Sequence, residues 1–154
     1  MSSTYHLAEI NIGRTVAPMD DPAMEGFVSQ LDTINALAEA SPGFVWRLKT
    51  DEGDATSIVA YDDPRIIVNM SVWESLQTLR AYVYTTNHAD VLRDRKKWFE
   101  KLDSPHFVMW WIPAGHIPTV QEAKDRLAFL AEHGETAHAF TFRTQFQPPN
   151  AASA

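Results

Sequence analysis

The sequence predicts an α+β fold: one antiparallel sheet carrying helices, with an added helix and short strand at the C-terminal end. Two observations lead there. Stretches in which side chains alternate in polarity are interleaved with stretches in which apolar residues recur every three or four positions. Their order is strand, helix, strand, strand, helix, strand, then a helix and a strand, and the first six follow the ferredoxin-like order.

The totals permit this fold. The chain has 154 residues, 45% hydrophobic and 21% charged, which suits one soluble domain with a real core. Residues 1–146 are expected to form that domain and residues 147–154 a disordered tail. The absence of cysteine excludes disulfides, thiolate catalysis and cysteine-ligated metals, and suits a reducing compartment. A net charge of -7 argues against a nucleic-acid partner. With no signal-peptide pattern and no apolar run near the roughly 20 residues of a membrane span, the expected setting is cytoplasmic.

"TYHLAEINIGR" is the first strand, with Ala8, Ile10 and Ile12 on one face and Leu7, Glu9 and Asn11 on the other. "TVAPMDDPAM" is a loop leading into a cap. A helix from Pro22 to Ala40 follows, with a stripe of Met24, Phe27, Val28, Leu31, Ile34 and Ala38. "SPG" ends it, and "FVWRLKT" is the second strand. The acidic "DEGDATS" is a loop, and "IVAYDDP" a short extended piece. "RIIVNMSVW" is the third strand and "ESLQTLRAYVYT" the second helix. "HADVLRDRKKWFEKL" reads as a third, more basic helical segment, and "HFVMWWIPAGH" as the fourth strand. The C-terminal helix in "PTVQEAKDRLAFLAEHG" has Thr119 and Glu122 at capping-box spacing and Gly134 to end it. "HAFTFRTQF" is the final short strand.

In this reading the helices cover the Ala8, Ile10, Ile12 face of strand one and the Val68, Met70, Val72 face of strand three. The opposite face carries Leu7, Glu9, Asn11, Ile67, Asn69, Ser71 and Trp73 and stays open. A bare sheet face needs cover, and two sheets pairing face to face would supply it, so a homodimer is expected. For strands two and four, period 2 leaves both assignments open: Val45 and Arg47 against Phe44, Trp46 and Leu48, and Phe107, Met109 and Trp111 against Val108, Trp110 and Ile112.

The open face suggests a pocket with aromatic walls and a few polar groups, suited to a small, mostly apolar ligand. Asn11, Asn69 and Ser71 are its polar candidates, with Glu9 and Arg47 beside them. Asn69 would orient a carbonyl or phenol. Ser71 would do the same or form a capping box with Glu74. Arg47 would anchor a carboxylate or enolate, or pair with Glu9 or Glu74. Trp73, Trp98 and Trp111 are candidates for an aromatic slot, or simply core. Tyr82 and Tyr84 cannot share a helix face; Tyr82 fits the core stripe and leaves Tyr84 for a ligand. His88 is either a general base or a helix-end cap. The remaining histidines lack metal-ligand spacing, so no metal is expected.

The junction Trp73-Glu74-Ser75, the helix after it and His88 resemble the dimeric α/β-barrel superfamily that includes the antibiotic biosynthesis monooxygenases. Over nearly the whole chain the pieces "YHLAEINIGR", "LDTINALAEASPGFVWRL", "NMSVWESLQTL" and "WWIPAGHIPT" are similar to an uncharacterised bacterial family of that superfamily. The resemblance implies a ferredoxin-like dimeric barrel. Together with the cavity composition it suggests a small-molecule enzyme, a cofactor-independent monooxygenase acting on an aromatic or polyketide-like substrate, with Asn69, His88 and Arg47 as catalytic groups and no cofactor. Two alternatives stand beside it: a heme-binding protein or heme enzyme with a histidine as axial ligand, and a non-catalytic binder of a small hydrophobic metabolite.

Overall fold

The computed structural model describes residues 4–49, 61–63, 65–86, 97–102 and 105–149. Among them are five strands, β1 (Tyr5–Thr15), β2 (Phe44–Arg47), β3 (Ile66–Trp73), β4 (Phe99–Glu100) and β5 (Phe107–Pro113). Three helices accompany them: α1 (Glu25–Ala40), α2 (Leu76–Thr86) and α3 (Val120–His133).

The sheet is antiparallel. β1 lies at its centre, with β3 and then β2 on one side. On the other side β5 pairs with one end of β1 and the short β4 with the other. The order β5-β1-β3-β2 is the one the ferredoxin-like reading requires. Local signals behave as the residues dictate. Asp21 accepts a hydrogen bond from the Ala23 amide and starts the 3-10 turn Pro22–Met24 that leads into α1. Gly43, at φ +83°, lets the chain leave α1 for β2, and a Cβ there would collide with the Thr78 side chain. Thr119 accepts from the Glu122 amide at 3.0 Å. The Glu122 carboxylate does not return the bond; it takes the Trp110 indole N–H and a nitrogen of His116 instead.

The layering differs from the sequence expectation. Period 2 sorts the residues into the right sets, but different helices cover them. Ala8, Ile10, Ile12, Val68, Met70, Val72, Val108, Trp110 and Ile112 pack with Ala123, Leu127 and Leu130 of α3. The set expected on an open face lies under α1 and α2: Leu7, Trp73 and Met109 pack with Ala38, Leu76 and Leu79. The expectation of a dimer rests on a bare sheet face. Helices pack on both faces within one chain, while Asn69 on the α1/α2 side stays exposed.

Strand four is settled: Phe107 and Trp111 share the α1/α2 side with Met109. Strand two fits neither assignment throughout. A register irregularity between Phe44 and Trp46 puts Phe44 on the α1/α2 side and Trp46 on the α3 side. The final strand is reduced to a bridge between Met109 and Phe140, because the next amide, that of Thr141, turns to the Glu135 carboxylate at 2.7 Å. Most of the third helical segment lies outside the described residues; of its end, residues 97–98 are helical and Phe99–Glu100 form β4. The piece 58–60 and the tail from residue 150 also lie outside them. Among the described residues no helix is long and apolar enough to cross a membrane.

Candidate functional site

Between the sheet and the two helices α1 and α2 lies a cavity of about 420 Å³. β1 contributes Glu9, Asn11 and Gly13, and β3 contributes Ile67 and Asn69. Gln30, Leu31, Ile34 and Asn35 line it from α1, and Leu79, Tyr82 and Val83 from α2. Aromatic rings close it. Phe27 meets Phe99 edge-on with ring centres 5.0 Å apart and lies 5.8 Å from Trp98. Phe107 stacks on Phe142 at 5.4 Å. Gly13 makes room for this wall, since a Cβ there would lie 2.7 Å from the Phe99 ring.

Glu9 is the feature that stands out. The residue is 3% exposed, in the middle of a strand otherwise built for a core. No cation is bonded to its carboxylate among the described residues; neutral donors hold it. Ser71 Oγ donates to Oε1 at 2.6 Å, and Asn11 Nδ2 donates to Oε2 at 3.1 Å. Ser71 in turn accepts the Trp73 indole N–H at 2.8 Å. Burial pushes the Glu9 pKa from its ordinary 4.5 up to about 7, against the opposing pull of Ser71 and Asn11. A carboxyl group poised there can take or give a proton at neutral pH. Tyr82 stacks on Trp73 at 4.9 Å. Burial first, and the nearby Glu9 second, push the Tyr82 phenol up to about 12, so it stays neutral and able to donate.

The structure brings together Asn11, Asn69, Arg47 and Trp98 of the expected residues, all on this cavity. It corrects others. Arg47 pairs with neither Glu9 nor Glu74; its Nε donates to Glu39 at 2.9 Å. Ser71 does not cap α2. Ser75 does, accepting from the Thr78 amide at 3.1 Å, and this leaves Ser71 for Glu9. Trp73 is fully buried under α2 and is core. Trp111 lies away from the cavity, beside Phe146, whose carbonyl accepts its indole N–H at 2.9 Å. The tyrosines are exchanged: Tyr82 lines the cavity and Tyr84 is 72% exposed, because the stripe expected to face core also faces the cavity. His88 lies outside the described residues. In the sequence, Glu9 is legible as a polar group on the pocket face and as a companion of Arg47, not as the proton-handling group. The stronger signal is a carboxylate two residues from Asn11 on one strand face, opposite a serine on another.

The family model described as "Domain of unknown function (DUF3291)" matches residues 6–154. The chain belongs to the DUF3291 family. That agrees with the expectation of a family without an assigned reaction. No curated protein matches this DUF3291 chain. Solved structures similar to it include a protein provisionally named an antibiotic biosynthesis monooxygenase from Nitrosomonas europaea. The two share 12% identity at a TM-score of 0.43, over 75% of this chain and 95% of that one. A protein of unknown function from the same organism shares 15% at 0.43, over 75% and 97%. Another provisionally named antibiotic biosynthesis monooxygenase, from Chloroflexus aurantiacus, shares 16% at 0.37, over 75% and 98%.

Heme would ask this site for an axial ligand. Of the described lining residues only His106 offers an imidazole, and it is an exposed residue. The polar groups on the cavity are Glu9, the amides of Asn11, Gln30, Asn35 and Asn69, Arg47, Tyr82 and His106. Among the described residues no cluster of three or more His, Asp or Glu could hold a metal ion.

Proposed function

We propose that this DUF3291 protein is a small-molecule enzyme whose proton-handling group is Glu9. The observation that carries the reading is a carboxyl group with a pKa of about 7, held by neutral donors on the wall of an aromatic-lined cavity. A buried carboxylate without a cation is costly, and a site that keeps one has a use for its proton. The substrate is a planar molecule with an acidic C–H beside a carbonyl or phenol. Glu9 takes that proton, and the amide of Asn69 holds the developing oxyanion.

The finer form of the proposal is cofactor-independent oxygenation. The carbanion left by proton transfer gives its electrons to O2, and the hydroperoxide that forms loses water. In sum, one methylene group and one O2 become one carbonyl group and one water. The methylene carbon is oxidised and loses both hydrogens, and O2 is the oxidant, one of its atoms ending in the carbonyl and the other in water. Glu9 takes the place of His88 as the base in this scheme because it lines the cavity, whereas His88 lies outside the described residues.

The test is oxygen uptake with a hydroxylated anthrone, for the native protein and Glu9→Gln. General-base removal is expected to lower the rate by about 10²–10⁴-fold. The native kcat/KM is expected to rise with pH through about 7. Uptake unchanged by Glu9→Gln contradicts the assignment of Glu9. Saturable binding without uptake favours a non-catalytic binder.

A further inference from the structure

The hydrogen bonds around Glu9 fix more than a proton. Asn11 Nδ2 carries two hydrogens. One goes to Glu9 Oε2 at 3.1 Å and the other to Asn69 Oδ1 at 3.4 Å. Asn11 and Asn69 are direct cross-strand partners of β1 and β3. Both neighbours of that nitrogen are acceptors, so the Asn11 amide has one orientation, with its nitrogen toward them and its oxygen away. A proton on Glu9 Oε1 does not reverse it. Placed on Oε1, the proton is donated to Ser71 Oγ, 2.6 Å away, and Oε2 remains an acceptor.

What remains unused follows by subtraction. Asn11 Oδ1 is an acceptor and Asn69 Nδ2 a donor, and neither has a hydrogen-bond partner among the described residues. Both side chains line the cavity. On these two cross-strand neighbours the wall therefore offers one acceptor and one donor. Its complement is a ligand that offers both an N–H and a C=O, as the cis-amide edge of a lactam does. The surrounding rings suit a flat body. The charge argues for a neutral one: Arg47 is the one arginine or lysine lining the cavity among the described residues, and Glu39 engages it at 2.9 Å.

We propose that the cavity recognises a neutral planar lactam, its N–H on Asn11 Oδ1 and its carbonyl on Asn69 Nδ2, with the ring against the aromatic wall. This rests on the cavity being the ligand site and names the class of ligand.

Calorimetric titration with three bicyclic probes tests it: 2-quinolone, N-methyl-2-quinolone and 2-naphthol. The native protein is expected to bind 2-quinolone at least about tenfold more tightly than its N-methyl derivative, because methylation removes the donor and leaves Asn11 Oδ1 unpaired. Asn69→Ala, and the closer-sized Asn69→Leu, are expected to weaken 2-quinolone about tenfold and to leave 2-naphthol within about twofold. Asn69 is exposed, so both variants keep the fold, and their thermal melts confirm it. Equal binding of 2-quinolone and its N-methyl derivative overturns the lactam assignment. So does an equal loss of 2-quinolone and 2-naphthol on changing Asn69. In both cases binding of 2-naphthol leaves the cavity standing as a ligand site. Binding of none of the three overturns both.

Discussion

Replacing Glu9 by glutamine should raise stability relative to the native protein progressively as pH rises. The carboxyl titrates at 4.5 in ordinary surroundings and at about 7 in the fold. The folded state thus holds a proton that the unfolded state has already released. A raised pKa of this kind gives stability that is fully present below pH 4.5 and lost as pH climbs through 7. The gap between the two values corresponds to ~3 kcal/mol. Glutamine is neutral throughout and has no such loss. It keeps an acceptor for Ser71, but its amide nitrogen meets Asn11 Nδ2, so the Asn11 and Asn69 amides must turn over. That cost is the same at every pH. Urea unfolding of both proteins between pH 4 and 9 therefore separates the two effects. The glutamine variant should gain ~3 kcal/mol relative to the native protein across that range, most of it between pH 5 and 7.5. A difference that does not change with pH would refute the buried, near-neutral carboxyl.

Ser71→Ala removes the hydroxyl that lowers the Glu9 pKa and strands the Trp73 indole N–H. It should cost ~1–3 kcal/mol in urea unfolding and move the rising limb of the pH–rate profile upward. Gly13→Ala places a methyl group 2.7 Å from the Phe99 ring, so the ring must move. A loss of ~1–3 kcal/mol in the same assay is expected. Leu127→Ala tests the cover on the second sheet face. Leu127 is 5% exposed, and its truncation should cost ~2–5 kcal/mol, whereas a sheet face free of α3 would leave stability nearly unchanged.

Much of the fold is legible in the residues because alternation and three-to-four spacing are local. Ala8, Ile10 and Ile12 must share a face, and Thr119 must start a helix if Val120 and its successors form one. Which helix covers that face is not local. Val68, Met70 and Val72 look the same under α1 and α2 as under α3, and the chain chose α3. The irregularity between Phe44 and Trp46 defeats period 2 in β2, since one extra residue turns every later side chain over. The site follows the same division. Asn11 and Asn69 are readable as polar groups on one face. The partner of Glu9 is not readable, because the choice among Arg47, Ser71 and Asn11 depends on register between strands about 60 residues apart. Tyr82 reads as core because its stripe serves core and cavity alike.

The central claim is that Glu9 carries a titrating proton at neutral pH on the wall of a ligand cavity. Carbon-13 NMR of protein labelled at the glutamate carboxyl tests it most directly, with Glu9→Gln identifying the resonance. The account predicts a midpoint near 7 that moves when a cavity ligand such as 2-naphthol is added. A midpoint near 4.5, unmoved by ligand, would contradict it.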